Sequence, residues 1–254
     1  MIVATALPGL PEVRSGDDLG RLLADAAGEL PAGEGGLADG DVLAIAHKVV
    51  SKAEGRVIAL DDVQPGKRAR ALGDEHGRDP RLIEVILGES LSIVRSRPGA
   101  LICRTPHGFV CANAGVDASN AARDGELILL PHDPDASARA LRARLRELSG
   151  VAPAIVITDS FGRAWRIGQC DVAIGIAGLV PAEDWRGRLD GGQRTLTATV
   201  VAVADEVAAV ADLARAKNSR EPAVLVRGLE RHVTEADGPG AAALIRARAE
   251  DLFL

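Results

Sequence analysis

Two stretches of this chain set an aspartate where an apolar run gives out. In "VITDSFGRAWRIGQCD", residues 156–171, the run Ala154-Ile155-Val156-Ile157 stops at Thr158, Asp159 and Ser160, and Arg163 and Arg166 follow. In "NAGVDASN", residues 113–120, Asp117 comes after the apolar "FVCANAGV" and before Ser119 and Asn120. Hard divalent cations take carboxylate, carbonyl, hydroxyl and water oxygens, so both stretches suit Mg2+ or Mn2+. An Asx-turn is the competing reading at Asp117. Arg163 and Arg166 could grip phosphate or carboxylate oxygens with their forked donors. The alternative is an ion pair with Asp171 or another acid that only holds the glycine-rich loop. Trp165 could cover a ring or anchor core.

A third stretch, "HKVVSK", spans residues 47–52. Lys48 and Lys52 would line up on a helical turn, and in a strand would share a face with Val50. Two ammonium groups and Ser51 after an apolar strand suit a phosphate site, a solvated basic edge being the alternative, and Lys48 is the one expected to face solvent. His47 alone reads as a packed or surface histidine. A fourth stretch, "GLPEV" at Gly9–Val13, makes a rigid loop whose backbone could hold the edge of a flat ring; a plain proline-rich turn would look the same. Together these groups describe a metal-bridged polyphosphate site. The chain has no G-x-x-x-x-G-K-[ST] and no G-x-G-x-x-G after a strand, so neither a P-loop nor a dinucleotide fold is expected.

The elements that must hold these groups are partly visible. Asp17 and Asp18 can cap a helix through Leu19, Leu22, Leu23 and Ala26. "VLAIAHKVV" reads as a strand, residues 80–90 as a helix, and "ALICRT" and "FVCANAGV" as two strands. Residues 133–148 make an amphipathic helix with Asp133 as cap and Leu141, Leu145 and Leu148 as its stripe. The glycine-rich middle, residues 162–192, reads as loop and a place for a crossing or hinge. Residues 199–217 have helical length, "AVLVRG" is a late strand, and "AAALIRARAEDLFL" reads as a closing helix. Strands and helices interleave without a strict βαβ rhythm, so the expected class is α/β (or α+β) with mixed sheets. One domain over residues 1–254 is expected, with two lobes meeting at the glycine-rich middle as its variant.

Composition narrows the class. The 254 residues carry a net charge of -6 with dispersed Lys and Arg, so nucleic-acid binding lacks its electrostatic footprint. Aromatics are only 2%, which leaves Ala, Val, Leu and Ile to fill the core. Cys103, Cys111 and Cys170 form no C-x-x-C pair and are expected to pack as small apolar residues. No apolar run is long enough for a membrane span and no signal peptide is visible, so a cytoplasmic protein is expected.

Five motifs in order, "GLPEVRSGDDL", "DGDVLAIAHKVVSKAEGR", "HGFVCANAGVDASN", "ITDSFGRAWRIGQCDVAIG" and "VAVADEVAAVADL", resemble the coenzyme F-420:L-glutamate ligase family. These are the gamma-glutamyl ligases of deazaflavin cofactor biosynthesis. The resemblance runs from about residue 7 to the end. It implies a fold peculiar to the family and a GTP-dependent amide ligase working as a homodimer. Its substrates would be L-glutamate and the precursor F-420-0. Two divalent ions, Mg2+ or Mn2+, are implied, with a monovalent cation such as K+ as a further candidate. By position, Leu10, Pro11, Glu12 and Val13 would line the nucleotide site, Lys52 would meet its phosphates, and Asn120 would touch GTP. Asp117 and Asp159 would hold the first metal, and Ser160 stands where the family usually has a threonine ligand to the second. Position 47 is often Ser or Gln facing the nucleotide and here is His47. Ala216-Lys217 replaces an acidic pair found in archaeal members. No C-terminal nitroreductase-like domain of the kind fused in some bacterial members is expected. A metal-dependent phosphotransferase or phosphohydrolase on another small acid, and a nucleotide-binding regulatory module, are the competing classes.

Overall fold

A strand that has neighbours on both sides and helices on both faces must be apolar throughout, and "VLAIA" and "AIVI" are. In a computed structural model describing residues 1–31, 35–119 and 121–251, these runs lie side by side at the centre of a five-stranded sheet. In chain order the strands are β1 (Val3–Ala6), β2 (Val42–Ala46), β3 (Val57–Ala59), β4 (Ser92–Arg97), β5 (Ala100–Arg104) and β6 (Val110–Ala112). They continue with β7 (Glu126–Ile128), β8 (Ala154–Arg163), β9 (Arg166–Ala177), β10 (Glu183–Asp184), β11 (Val200–Val201) and β12 (Ala223–Arg227). The helices are α1 (Leu19–Gly28), α2 (His47–Ala53), α3 (Lys67–His76), α4 (Pro80–Gly88), α5 (Pro134–Ser149) and α6 (Val203–Ala214).

The main sheet runs β1-β12-β2-β8-β9, with β2 and β8 parallel and the other pairs antiparallel. It is therefore a mixed sheet in an α/β fold, as expected. Leu23, Ile45, Leu145 and Ile155 fill the face under α1, α2 and α5, while Val42, Val156, Ile176 and Val207 fill the face under α6. Each such side chain, fully buried, stabilises the fold by about 1.5–3 kcal/mol. A third core, with Ile83, Ile86, Leu101 and Leu127, joins α3 and α4 to the smaller sheets β3–β7 and β4–β5–β6. Helix α5 approaches β9 so closely that a Cβ on Gly175 would lie 2.3 Å from the Pro134 carbonyl oxygen, so only glycine fits.

The caps follow the sequence: Asp18 accepts from the Arg21 amide and Asp133 from the Ala136 amide. Four expectations are corrected. The "VLAIAHKVV" strand stops at Ala46, and His47 opens α2. On its β12 side the last ladder bond goes from the Ala46 amide to the carbonyl of Pro222, which has no N–H to carry pairing further. "FVCANAGV" is strand only over Val110–Ala112; Asn113, Ala114 and Gly115 then take left-handed backbone, with φ of 54°, 54° and 74°. The run at residues 154–157 does not end at Asp159. It continues to Arg163 and folds back as the 12-residue β9, so a long hairpin opens the supposed glycine-rich loop. The closing helix is absent among the described residues. Ala241–Leu244 and Arg248–Glu250 are short 3-10 turns, drawn out by Ile245 against Gly108 and by the Arg104–Asp251 pair at 3.3 Å. Tertiary contacts there override a helical pattern.

Candidate active site

The seven-residue helix α2 touches three of the four sequence clusters, one with each of three side chains. His47 Nε2 lies 3.3 Å from Asp159 Oδ1, Lys48 Nζ lies 2.6 Å from Asp117 Oδ2, and Lys52 Nζ lies 2.5 Å from Glu12 Oε1. Lys48 and Lys52 share a face because four residues make roughly one turn. The parallel pairing of β2 with β8 brings Thr158 opposite Ala46, which sets Asp159 beside the start of α2.

Asp117 is reached through the left-handed turn Asn113–Gly115 and bridged to Ile128. Its Oδ1 accepts from the Ser119 amide at 2.6 Å, so the Asx-turn is present along with the lysine pair. Burial pushes this carboxyl up, but the Lys48 hydrogen bond and the Ser119 amide outweigh it and hold the group below the usual carboxylate value. The stability this adds is present above the ordinary carboxylate range and is lost only as pH falls through the depressed value. Lys48 also donates to Ser119 Oγ and is mostly buried, which corrects the expectation that it faces solvent.

In the "GLPEV" loop, Val13 is buried and Leu10 packs on the core, so Gly9, Pro11 and Glu12 are the residues it exposes. Asn120 lies outside the described residues. Ser160 does not share a face with Asp159. Strand alternation turns Thr158 and Ser160 toward α6, where both donate to Asp171, at 3.0 and 2.6 Å. Asp171 is 1% exposed and pairs with Arg215 at 2.6 Å, and Lys217 reaches Ser160 Oγ at 2.8 Å and Asp212 at 3.1 Å. Sequence reasoning missed Arg215 and gave Asp171 the wrong partner. The useful signal was the run of polar residues after a helix whose far side is apolar.

Arg163 and Arg166 pair across the hairpin end and are exposed; Arg163 donates to the Ile167 carbonyl. Neither pairs with Asp171. Four residues of strand put Arg163 about 13 Å from Asp159, so the two are not brought together. Trp165, at 81% exposed, is not a core anchor. Replacing either arginine by lysine is expected to leave the melting temperature within about 1 °C, read by calorimetry, because an exposed charge at a hairpin end contributes little.

Cys103 and Cys111 are buried and free, as expected, while Cys170 is half-buried. Burial, with the nearby Asp159 charge adding to it, pushes the Cys111 thiol up to about 12, which leaves it inert. Among the described residues no three His, Cys, Asp or Glu side chains converge on one point, and no helix is long and apolar enough to cross a membrane. Asp159 nonetheless fits a hard cation. No lysine or arginine neutralises it among the described residues, and the buried His47 Nε2 beside it has no hydrogen-bond partner.

A mixed α/β domain with paired carboxylates and cations gathered on one short helix is the class this geometry defines. Residues 9–228 match the family model for F420-0:Gamma-glutamyl ligase, and the chain belongs to that family. The coenzyme F420:L-glutamate ligase of Methanopyrus kandleri is 48% identical over 244 residues, covering 95% of this chain and 93% of its own length. That of Methanothermobacter thermautotrophicus is 43% identical, covering 96% of each, and that of Archaeoglobus fulgidus 41%, covering 87% and 85%.

Proposed function

We propose that this chain joins L-glutamate to the deazaflavin precursor F-420-0 and then extends it with further gamma-linked glutamates. GTP would drive the reaction. The observation that carries the reading is the full-length likeness to ligases of that name, combined with α2 contacting the loop and both aspartates assigned to nucleotide and metal.

The γ-phosphoryl group of GTP passes to the carboxylate of the lactyl arm, giving an acyl phosphate and GDP. The glutamate amine attacks the acyl carbon, phosphate leaves with the C–O electron pair, and the amine gives up a proton as the amide forms. Asp159 and Asp117 would hold a first divalent ion, Mg2+ or Mn2+, which would supply Lewis-acid polarisation to the transferring group. Ser160 would be the oxygen donor at a second, with the exposed Lys217 ammonium beside it at 2.8 Å. K+ remains a proposed accessory ion. Pro11 and Glu12 edge the nucleotide, with Leu10 and Val13 fixing their loop to the core. Arg163 and Arg166, far along the strand from Asp159, suit the phosphodiester of the long acceptor better than the transferring phosphoryl group. Lysine at either position is thus expected to raise the KM for the acceptor and leave that for GTP unchanged. The exposed Trp165 and Ile167 at the same hairpin end support a homodimer, to be read by sedimentation.

Lys52→Ala is expected to raise the nucleotide KM or lower kcat by about ten- to a hundredfold, since one charge-assisted contact is worth roughly 1.5–3 kcal/mol. Steady-state kinetics at varied GTP checks it. Mass spectrometry after incubation with precursor, GTP, Mn2+ and glutamate tests the function itself. Successive glutamyl additions are expected; GDP release that ignores glutamate would favour a phosphotransferase or phosphohydrolase instead.

A further inference from the structure

His47 opens α2 with its ring next to Asp159. Its side chain is 2% exposed, and such depth is costly for a polar ring that lacks partners. Nδ1 has one: Ser51 Oγ, one turn along the helix, at 3.3 Å. Nε2 has none in hydrogen-bond alignment, although Asp159 Oδ1 stands 3.3 Å away. A histidine placed to hydrogen-bond that aspartate would aim its ring nitrogen at the oxygen. Here the ring nitrogen stands close to the carboxylate yet makes no hydrogen bond to it.

That relation is the one adopted by two ligands of a common ion. Ligands held at roughly 2.1–2.2 Å on neighbouring corners of a coordination shell stand about 3.0–3.1 Å apart. The ion lies off the line joining them, so each donor points past the other. A slightly opened angle accommodates the observed 3.3 Å. The anchoring on the far side of the ring agrees. A proton on Nδ1, donated to Ser51 Oγ, would leave Nε2 a bare lone pair, which is the usual support for a metal-binding imidazole. A bare nitrogen lone pair beside a carboxylate oxygen in a buried site is repulsive unless a cation joins the two.

We propose that His47 is a metal ligand through Nε2, sharing with Asp159 the divalent ion of the proposed ligase site, and that it biases the site toward transition-metal ions over Mg2+. The inference rests on that proposed function for the presence of an ion, but not for the choice of ligand. Mg2+ keeps to oxygen donors, whereas imidazole nitrogen is accepted by Mn2+, and increasingly by the later ions from Co2+ on.

The test uses the full chain with Mn2+ and a non-hydrolysable GTP analogue, read by pulsed electron paramagnetic resonance. Nitrogen coupling to bound Mn2+ is expected, changing from the 14N to the 15N pattern when histidine alone is 15N-labelled and vanishing in His47→Gln. In His47→Gln the Mn2+ dissociation constant should rise about tenfold or more, with Mg2+ affinity changed less than about threefold. Unchanged far-ultraviolet circular dichroism of that variant would rule out misfolding as the cause. Mn2+ bound in an Asp159-dependent way without histidine coupling overturns the inference and leaves the ligase reading standing. Asp159-independent binding, or none, overturns both.

Discussion

Asp159→Asn is expected to lower glutamate addition by about a thousandfold or more while the protein melts within about 2 °C of the native chain. The fold should barely register the change. Asp159 lies at the margin of the core, 15% exposed, and its one backbone partner, the Ser160 amide, bonds Oδ1 at 2.8 Å. Asparagine keeps that oxygen and the side-chain volume. What it removes is the negative charge, and with it the ability to hold a hard cation against competing water. Lewis-acid stabilisation of a transferring phosphoryl group amounts to several kcal/mol, and about 4 kcal/mol corresponds to three decades of rate. Turnover and calorimetry on one preparation check both halves. Activity within about tenfold of native at limiting metal would remove Asp159 from the site. Asp117→Asn is expected to act in the same direction, with a larger stability cost because it also breaks the Lys48 pair.

Asp171→Ala should do the opposite: a stability loss of roughly 3–5 kcal/mol, on the order of 10 °C in melting temperature for a chain of this size. Asp171 is enclosed, and its two oxygens satisfy Arg215, Thr158 and Ser160 together. Alanine leaves the Arg215 guanidinium, 10% exposed, with its Pro222 carbonyl and Thr158 hydroxyl contacts but no counter-charge. Removing one member of a buried pair costs far more than the pair contributes, because the remaining charge is stranded in low dielectric. The double variant Asp171→Ala with Arg215→Met should therefore recover much of the loss. Additive losses in that cycle would show that the two side chains act independently.

The residues of the candidate site were legible in the sequence to the extent that their chemistry is local. Asp117, Asp159, Lys52 and the "GLPEV" loop announce themselves by type and by where apolar runs end. Their grouping was not legible, because it depends on α2 starting at His47, and that start is set by Pro222, the residue just before a neighbouring strand and 175 residues away in sequence. Val49 and Val50 carry β-branched propensity that favours the wrong element when read alone. The caps of α1 and α5 could be read because an N-cap bond spans three residues. The 3-10 turns near the C-terminus could not, since Ile245 and Asp251 find their partners on the β5–β6 hairpin. The Arg163 and Arg166 reading suffered from distance of another kind: a run that looked like a loop is a strand, and a strand carries its residues away from one another.

That strand also constrains how the hairpin can change. Ile174 is an extra residue in β9: Ile157 lies opposite Gly175 and Thr158 opposite Ala173, so the pairing skips it. This bulge sets the phase of everything beyond it, sending Asp171 to the α6 side and leaving Asp159 on the α2 side. Removing Ile174 would turn the Asp171 carboxylate toward the apolar face and pull it from Arg215. Length changes in this hairpin are thus tolerated by parity. Descendants can gain or lose residues in matched pairs near Trp165 and keep both sides, but a single insertion between the sheet centre and Thr158 exchanges them.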